Sequence, residues 1–204
     1  EMAMDRAGGW NAALVKKLSS GDHLVSVREY LLNQAKIIPI TEDATRFVTL
    51  NSNTIAVNLA AFPKPPFAGA EVEEHIGESW TLVEKRSDGL YVSGSKVILH
   101  LSKRQKNGKW LKGYELRDEL IGKPALNANI LDALLANPHF IPEDWRRDEN
   151  GNTRYIFFWG TIYRDSGVDL YVRYFYFDDG GLHSGYSWLD CDWDGDSPAA
   201  LRAS

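Results

Sequence analysis

The chain has 204 residues and a mass of 23.0 kDa, and its 44% hydrophobic and 25% charged residues exclude a disordered or fibrous protein. Its one cysteine, Cys191, excludes an intrachain disulfide and favours a reducing compartment, so we expect a cytoplasmic protein. No apolar run reaches the length of a membrane span, so we expect no membrane partner.

The first predicted elements are two helices and a hairpin. Apolar residues recur at helical spacing over 10–18 and again over 24–36, which predicts two N-terminal amphipathic helices. Two β-rich segments, 46–50 and 54–59, flank an Asn-Ser-Asn turn. This arrangement predicts a β-hairpin.

A proline-rich segment follows the hairpin, and it cannot continue a strand because proline offers no N–H group to the ladder. We predict that residues 62–69 form a linker between an N-terminal helical and hairpin unit, 10–61, and a C-terminal module, 70–204. One continuous domain is the alternative. The P-x-x-P spacing is also typical of polyproline ligands, but a rigid linker is the favoured interpretation.

The C-terminal module carries patterns of both strands and helices. Strand patterns occur at 80–86, 90–92, 96–101, 155–163, 170–177 and 182–189. Helix patterns occur at 114–120 and at 126–136, where Pro138 ends an apolar stripe. Together these patterns predict an α+β fold, with N-terminal helices, antiparallel β-hairpins and a C-terminal aromatic antiparallel meander packed on a helix.

The aromatic segment 155–163 is apolar on both of its predicted faces. One face carries Tyr155, Phe157, Trp159 and Tyr163, and the other carries Ile156, Phe158 and Ile162. A strand that is apolar on both faces is usually covered on both sides. We therefore predict that Phe157 and Trp159 are core residues and do not stack on a ligand.

The C-terminal module also contains a set of distinctive motifs. They are LSKRQK at 101–106, LRDEL at 116–120, GKPALNANILDALL at 122–135, IPEDW at 141–145, FFWGTIYR at 157–164, DWD at 192–194 and PAA at 198–200. Together they resemble a C-terminal module of uncharacterised proteins from uncultivated bacteria, over residues 79–203. The resemblance implies no activity, cofactor or catalytic residue.

Charge is distributed unevenly along the chain. Residues 83–123 hold ten Lys or Arg against five Asp or Glu, whereas residues 165–204 hold eight Asp against two Arg. The candidate ligand-binding residues in the basic region are Lys103, Arg104, Lys106, Lys109, Trp110 and Lys112. A basic hairpin tip beside a tryptophan is typical of a loop that contacts phosphates and stacks on bases. The alternative, a solvated loop that balances the acidic region, is favoured by an isoelectric point near 5.6.

An acidic loop at 190–196 has the D-x-D-x-D-G order of calcium loops. Its candidate metal ligands are Asp190, Asp192, Asp194 and Asp196. The twelfth position, where a calcium loop needs a bidentate glutamate, is Leu201. We therefore predict that the loop holds no stoichiometric metal and that its aspartates cap turns or pair with Lys or Arg.

The sequence contains no P-loop, no dinucleotide fingerprint and no convincing nucleophile–base pair, so we predict no catalytic residue and no cofactor. The favoured function is a non-catalytic binding or interaction module with a protein partner. One alternative is a nucleic-acid-binding accessory protein that acts through residues 103–112. Another is a hydrolase or carbohydrate-active protein that uses the acidic loop.

Overall fold

Residues 46–203, the part of the chain that this computed structural model describes, contain twelve β-strands and two short α-helices. The strands are β1 (Phe47–Asn51), β2 (Thr54–Asn58), β3 (Glu71–His75), β4 (Trp80–Arg86), β5 (Gly89–Val92), β6 (Ser95–His100), β7 (Leu111–Lys112), β8 (Ile156–Arg164), β9 (Leu170–Asp178), β10 (Gly181–Trp188), β11 (Asp192–Trp193) and β12 (Ala199–Arg202). The helices are α1 (Gly113–Leu120) and α2 (Ala128–Ala136), and 3-10 turns span Lys103–Gln105, Pro138–Phe140 and Glu143–Trp145. No helix in these residues has the length and apolar character needed to cross a membrane. The predicted N-terminal helices, 10–18 and 24–36, lie outside the described residues.

Ten of the strands form one curled sheet. Its order is β1–β2–β4–β5–β6–β12–β8–β9–β10, with β3 added on β8, while β7 and β11 form a separate ribbon. All neighbouring strands are antiparallel except β12 and β8. The strand β12 joins the two halves of the sheet, because it pairs along its length with β6 and places Ala199 opposite Phe157 of β8.

The predicted α+β class is wrong, because the described chain is a β-rich fold. The strands and the two helices predicted within residues 46–203 are confirmed to within two residues at each end. The helices are short insertions between strands of a single sheet. Local periodicity shows that a segment is extended, but it does not show which distant strand the segment pairs with. The four-residue strand β12, which unites the sheet, carries no strand pattern of its own.

Two hydrophobic clusters cover the two faces of the sheet around β8. Helix α2 packs on one face, in a cluster that includes Phe158 and Phe175. Helix α1 and the ring of Trp193 belong to the second cluster, which includes Phe157 and Trp159. Phe157 and Trp159 are each 4% exposed, so the prediction that both are core residues is confirmed. The predicted packing of the 126–136 helix on the aromatic sheet is also confirmed.

Strand β8 changes face partway along its length. Its pairing with β9 shifts register between Phe157 and Ile162, and Ile162 packs in the same cluster as Phe157 instead of with Ile156. The predicted face of Ile162 is therefore wrong, and so is that of Tyr163, the next residue of the strand, which points to the opposite face from Ile162. Gly160 lies within this irregularity, where a Cβ atom would stand only 2.8 Å from the carbonyl oxygen of Ala125. A glycine at this point lets the neighbouring backbone approach the strand.

The proline-rich segment 62–69 lies against the sheet. The hydroxyl of Tyr163 and the guanidinium of Arg173 both donate hydrogen bonds to the carbonyl oxygen of Lys64, at 2.9 and 3.1 Å. Strand β2 precedes this segment and pairs with β4, which follows it, so strands on both sides share one sheet. The division between 10–61 and 70–204 also involves residues outside the described ones, and it stays a prediction.

Candidate functional site

A cleft of about 790 Å³ opens where three separate segments of the chain meet. Its walls come from residues 101–110, 148–154 and 192–196, so the basic segment and the acidic loop border the same space. Lys106 and Trp110 face it together with three aspartates of the acidic loop. The indole of Trp110 is available to a ligand, since the residue is 56% exposed.

A buried glutamine holds two walls of the cleft together. Gln105 is 1% exposed, and its Nε2 donates hydrogen bonds to the carbonyl oxygens of Asp194 (2.9 Å) and Ser197 (3.0 Å). Its Oε1 accepts a hydrogen bond from the backbone N–H of Ser102 at 3.0 Å. One side chain therefore fixes the acidic loop to the basic segment. Sequence reasoning missed Gln105, because glutamine is mostly an exposed residue.

The acidic loop is anchored by a tryptophan within it. Trp193 is 1% exposed, and its ring centroid lies 4.1 Å from that of Phe157 and 4.9 Å from that of Trp159. Successive residues of an extended chain point to opposite sides. Burial of Trp193 therefore leaves the flanking residues Asp192 and Asp194 exposed on the outer side.

The third wall is a tight turn that sequence reasoning missed. The carboxylate of Asp148 accepts hydrogen bonds from the backbone N–H groups of Asn150 (2.8 Å) and Asn152 (2.7 Å), and from the side-chain amide of Asn152 (3.0 Å). The signal was local, because an aspartate followed by Asn and Gly is typical of an Asx turn. Arg154 follows this turn, and its guanidinium donates a hydrogen bond to the carbonyl oxygen of Asp144 at 2.6 Å.

The cleft has an excess of negative charge. Its charged lining residues are five carboxylates and two cations, namely Asp148, Glu149, Asp192, Asp194 and Asp196 against Lys106 and Arg154. Partial burial, followed by the nearby Asp194 and Asp148 carboxylates, raises the pKa of Asp196 above its ordinary value. Partial desolvation also raises the pKa of Asp148, but hydrogen bonds from Asn152 and Asn150 outweigh this effect and hold the pKa of Asp148 below its ordinary value. An environment of this kind favours cationic groups.

The remaining predicted site residues do not line the cleft. They are Lys103, Arg104, Lys109, Lys112 and Asp190. Arg104 forms an ion pair with Glu115 at 2.8 Å, and Lys112 forms one with Asp192 at 3.0 Å. The predicted basic hairpin is wrong, because residues 103–105 form a 3-10 turn and β7 pairs with β11 of the acidic loop. The basic segment does not fold back on itself. It pairs with the acidic loop, through β7 and β11 and through the ion pair between Lys112 and Asp192.

The aspartates of the acidic loop interact within the protein. Asp194 Oδ1 accepts a hydrogen bond from the N–H of Asp196 at 3.0 Å, and Asp192 pairs with Lys112. The prediction that these aspartates cap turns or pair with a basic side chain is confirmed for Asp192 and Asp194. Within residues 46–203, no group of three or more His, Cys, Asp or Glu side chains is arranged to hold a metal ion.

Comparison with known proteins gives no relative: no family model, no curated protein and no solved structure matches the chain. The resemblance of residues 79–203 to a bacterial C-terminal module stays a prediction.

Proposed function

We propose that the protein is a non-catalytic binding module whose cleft binds a positively charged segment of a partner protein. The excess of carboxylates beside the exposed Trp110 carries this proposal. Lysine and arginine side chains are attracted both to carboxylates and to the face of an indole ring. Lys112 shows the same chemistry within the chain, since its Nζ lies 3.0 Å from Asp192 and 6.0 Å from the centroid of the Trp110 ring.

The same charges oppose the nucleic-acid alternative. A phosphate backbone needs several unpaired cations along its path. Of the five basic residues in 103–112, only Lys106 lines the cleft, and Arg104 and Lys112 are engaged with carboxylates. A nucleic acid in this cleft would face five carboxylates against two cations.

Opposite pKa shifts of two carboxyl groups support a second candidate function. The pKa of Asp196 is raised and that of Asp148 is lowered, and both residues line the cleft. Carboxyl groups whose pKa values diverge serve as acid and base in hydrolases. Hydrolysis of a panel of p-nitrophenyl glycosides that is lost in Asp196→Asn but kept in Asp179→Asn, an exposed aspartate outside the cleft, would establish this candidate.

Binding of simple charged probes tests the main proposal. A hexalysine peptide should change the fluorescence of the 204-residue chain, with an affinity that falls as salt is added, because screening weakens exposed charge interactions. A hexaglutamate peptide and a single-stranded oligothymidine of twelve nucleotides should bind more weakly. Tighter binding of the oligonucleotide than of hexalysine, or no binding of hexalysine, would contradict the proposal.

Two matched pairs of variants assign the binding to the cleft. Trp110→Ala should lose affinity for hexalysine, whereas Trp80→Ala should keep it, since Trp80 is 50% exposed but does not line the cleft. Glu149→Gln should weaken binding, whereas Glu78→Gln, at another exposed glutamate, should not. Equal losses in both members of a pair would show that hexalysine binds the general acidic surface.

We also propose a cytoplasmic location. Cys191 is a free and exposed thiol, and a reducing compartment keeps such a thiol unoxidised. Cell fractionation with thiol labelling should recover the protein in the cytoplasmic fraction with Cys191 reduced. Recovery of a mixed disulfide from an oxidising compartment would contradict this location.

A further inference from the structure

Among residues 46–203, strand β10 is an edge of the sheet that carries no charged residue, proline or bulge. It pairs with β9 on one side, and no strand within residues 46–203 pairs with its other side. Its eight residues include no proline, Lys, Arg, Asp or Glu. Natural sheets usually protect such edges with charges, proline or bulges. The other edge strands of the described part of the chain, β3 and β1, have such protection, because β3 carries three glutamates and the pairing of β1 with β2 shifts register between Thr49 and Asn51.

The hydrogen bonds next to β10 show which of its backbone groups point outward. The N–H of Leu189, just after the strand, donates to the carbonyl oxygen of Leu170 at 2.9 Å. The pairing of β10 with β9 has no register shift. Every second residue before Leu189 therefore forms backbone hydrogen bonds with β9. The residues between them direct their N–H and C=O groups away from the sheet, and these are Leu182, Ser184 and Tyr186. The open edge ends at Trp188, whose carbonyl oxygen accepts the N–H of Cys191 at 3.0 Å.

We propose that two copies of the chain pair through their β10 strands, antiparallel and around a two-fold axis at Ser184. In this register Ser184 lies opposite its counterpart in the second copy, and Leu182 lies opposite Tyr186. All three outward-pointing residues then find partners, which gives about six hydrogen bonds between the copies, two for each residue pair. The two curled sheets become continuous across the axis.

The strand is complementary to itself in this register, as a two-fold interface requires. On one face, Tyr186, whose ring packs on Phe67 of its own copy at 4.9 Å between centroids, lies opposite Leu182, and Ser184 occupies the axis. On the other face, His183, whose Nε2 lies 2.8 Å from Asp178 Oδ1 of its own copy, is opposite Gly185, which adds no side chain there. A larger residue does not fit at Gly185, because a Cβ atom there would lie 2.8 Å from the ring of Tyr174 in the same copy. Because β10 contains no Lys, Arg, Asp or Glu, its pairing with a second β10 opposes no like charges.

Engineered disulfides test both the pairing and its register, in a chain that also carries Cys191→Ser. Residues opposite each other in an antiparallel pair have Cα atoms about 4.5–5.5 Å apart, within the range that a disulfide spans. Ser184→Cys should therefore form a covalent dimer on mild oxidation. Ser187→Cys is the matched control, because the two copies of residue 187 would lie roughly 20 Å apart along the strands. Equal cross-linking of both variants, or of neither, overturns the proposal.

A proline variant tests the outward N–H group directly. Ser184→Pro removes a donor that β9 does not use, so the fold should persist, as circular dichroism can verify. The dissociation constant of the dimer, measured by sedimentation equilibrium, should rise about ten-fold or more, because each dimer loses two hydrogen bonds. Ser184→Ala retains the N–H group and should dimerise like the parent. A parent chain that sediments as a monomer at every concentration, or a folded Ser184→Pro chain that dimerises equally well, overturns the proposal.

Discussion

Replacing Gln105 with alanine tests how the walls of the cleft are held together. The change removes three hydrogen bonds, to the carbonyl oxygens of Asp194 and Ser197 and from the N–H of Ser102. At about 1 kcal/mol for each hydrogen bond, the free energy of unfolding should fall by about 3 kcal/mol. With a urea dependence of about 2 kcal/mol/M, the midpoint of a urea melt followed by tryptophan fluorescence should fall by about 1.5 M.

A charged variant separates these hydrogen bonds from simple packing. Gln105→Glu keeps the size of the side chain and its acceptor oxygen. It replaces the Nε2 donor with a second oxygen, which then faces the carbonyl oxygens of Asp194 and Ser197. Burial should raise the pKa of the new carboxyl group in the folded state. A group with a raised folded pKa loses its contribution to stability as the pH rises through that pKa, so this variant should be less stable at pH 7 than at pH 4 relative to the parent.

Lys106→Ala, at the exposed neighbour, should change stability by less than about 0.5 kcal/mol. A loss below about 1 kcal/mol for Gln105→Ala would refute this account of the cleft.

Three further predictions concern the core and the acidic loop. Phe157→Ala removes a ring 4.1 Å from that of Trp193 and should cost about 3–5 kcal/mol in a urea melt; a cost near 1 kcal/mol would contradict its burial. Gly113→Ala places a Cβ atom 2.5 Å from Trp193 Nε1 and should cost about 1–3 kcal/mol, whereas an unchanged thermal melt would contradict this contact. Because the folded state raises the pKa of Asp196, its ionisation reduces stability as the pH rises. Asp196→Asn should therefore be more stable than the parent at pH 7, an advantage that disappears near pH 3; an advantage independent of pH would argue against a raised pKa.

The local elements of the fold could be predicted because their signals lie within each segment. Helix α2 follows from an apolar stripe that ends before Pro138, and the turn between β9 and β10 follows from two aspartates and two glycines at 178–181. The burial of Phe157 and Trp159 follows from apolar residues on both sides of one strand. In each case the residues that decide the structure are neighbours in sequence.

The features that escaped prediction depend on contacts between distant residues. Strand β12 is extended because β6 and β8 offer it partners, and its own four residues show no alternation of apolar and polar side chains. The change of face in β8 accompanies the close approach of residue 125 to Gly160, which no pattern within the strand reveals. Register along a strand fixes the face of every later residue, so one irregularity was enough to misplace Ile162.

The charged segments that line the cleft could be predicted, but the contact between them in the folded chain could not. The sequence identifies the basic segment and the acidic loop as separate charged regions, and opposite charges indicate that they can attract each other. Their meeting depends on the buried amide of Gln105, a residue type that is mostly exposed. The turn at Asp148 carries its own Asx-turn signal, but nothing in the sequence places it beside residues 192–196.

The position of β12 in the chain has a consequence during protein synthesis. The ribosome synthesises β12 about a hundred residues after β6. At 5–20 residues per second, roughly 5–20 s separate the synthesis of the two strands. During this interval β6 lacks the strand that later pairs with it, and its exposed backbone can pair with other nascent chains. Slower translation of residues 101–198 prolongs that exposure, so synonymous codon choice in this stretch should influence how much of the protein aggregates in the cell.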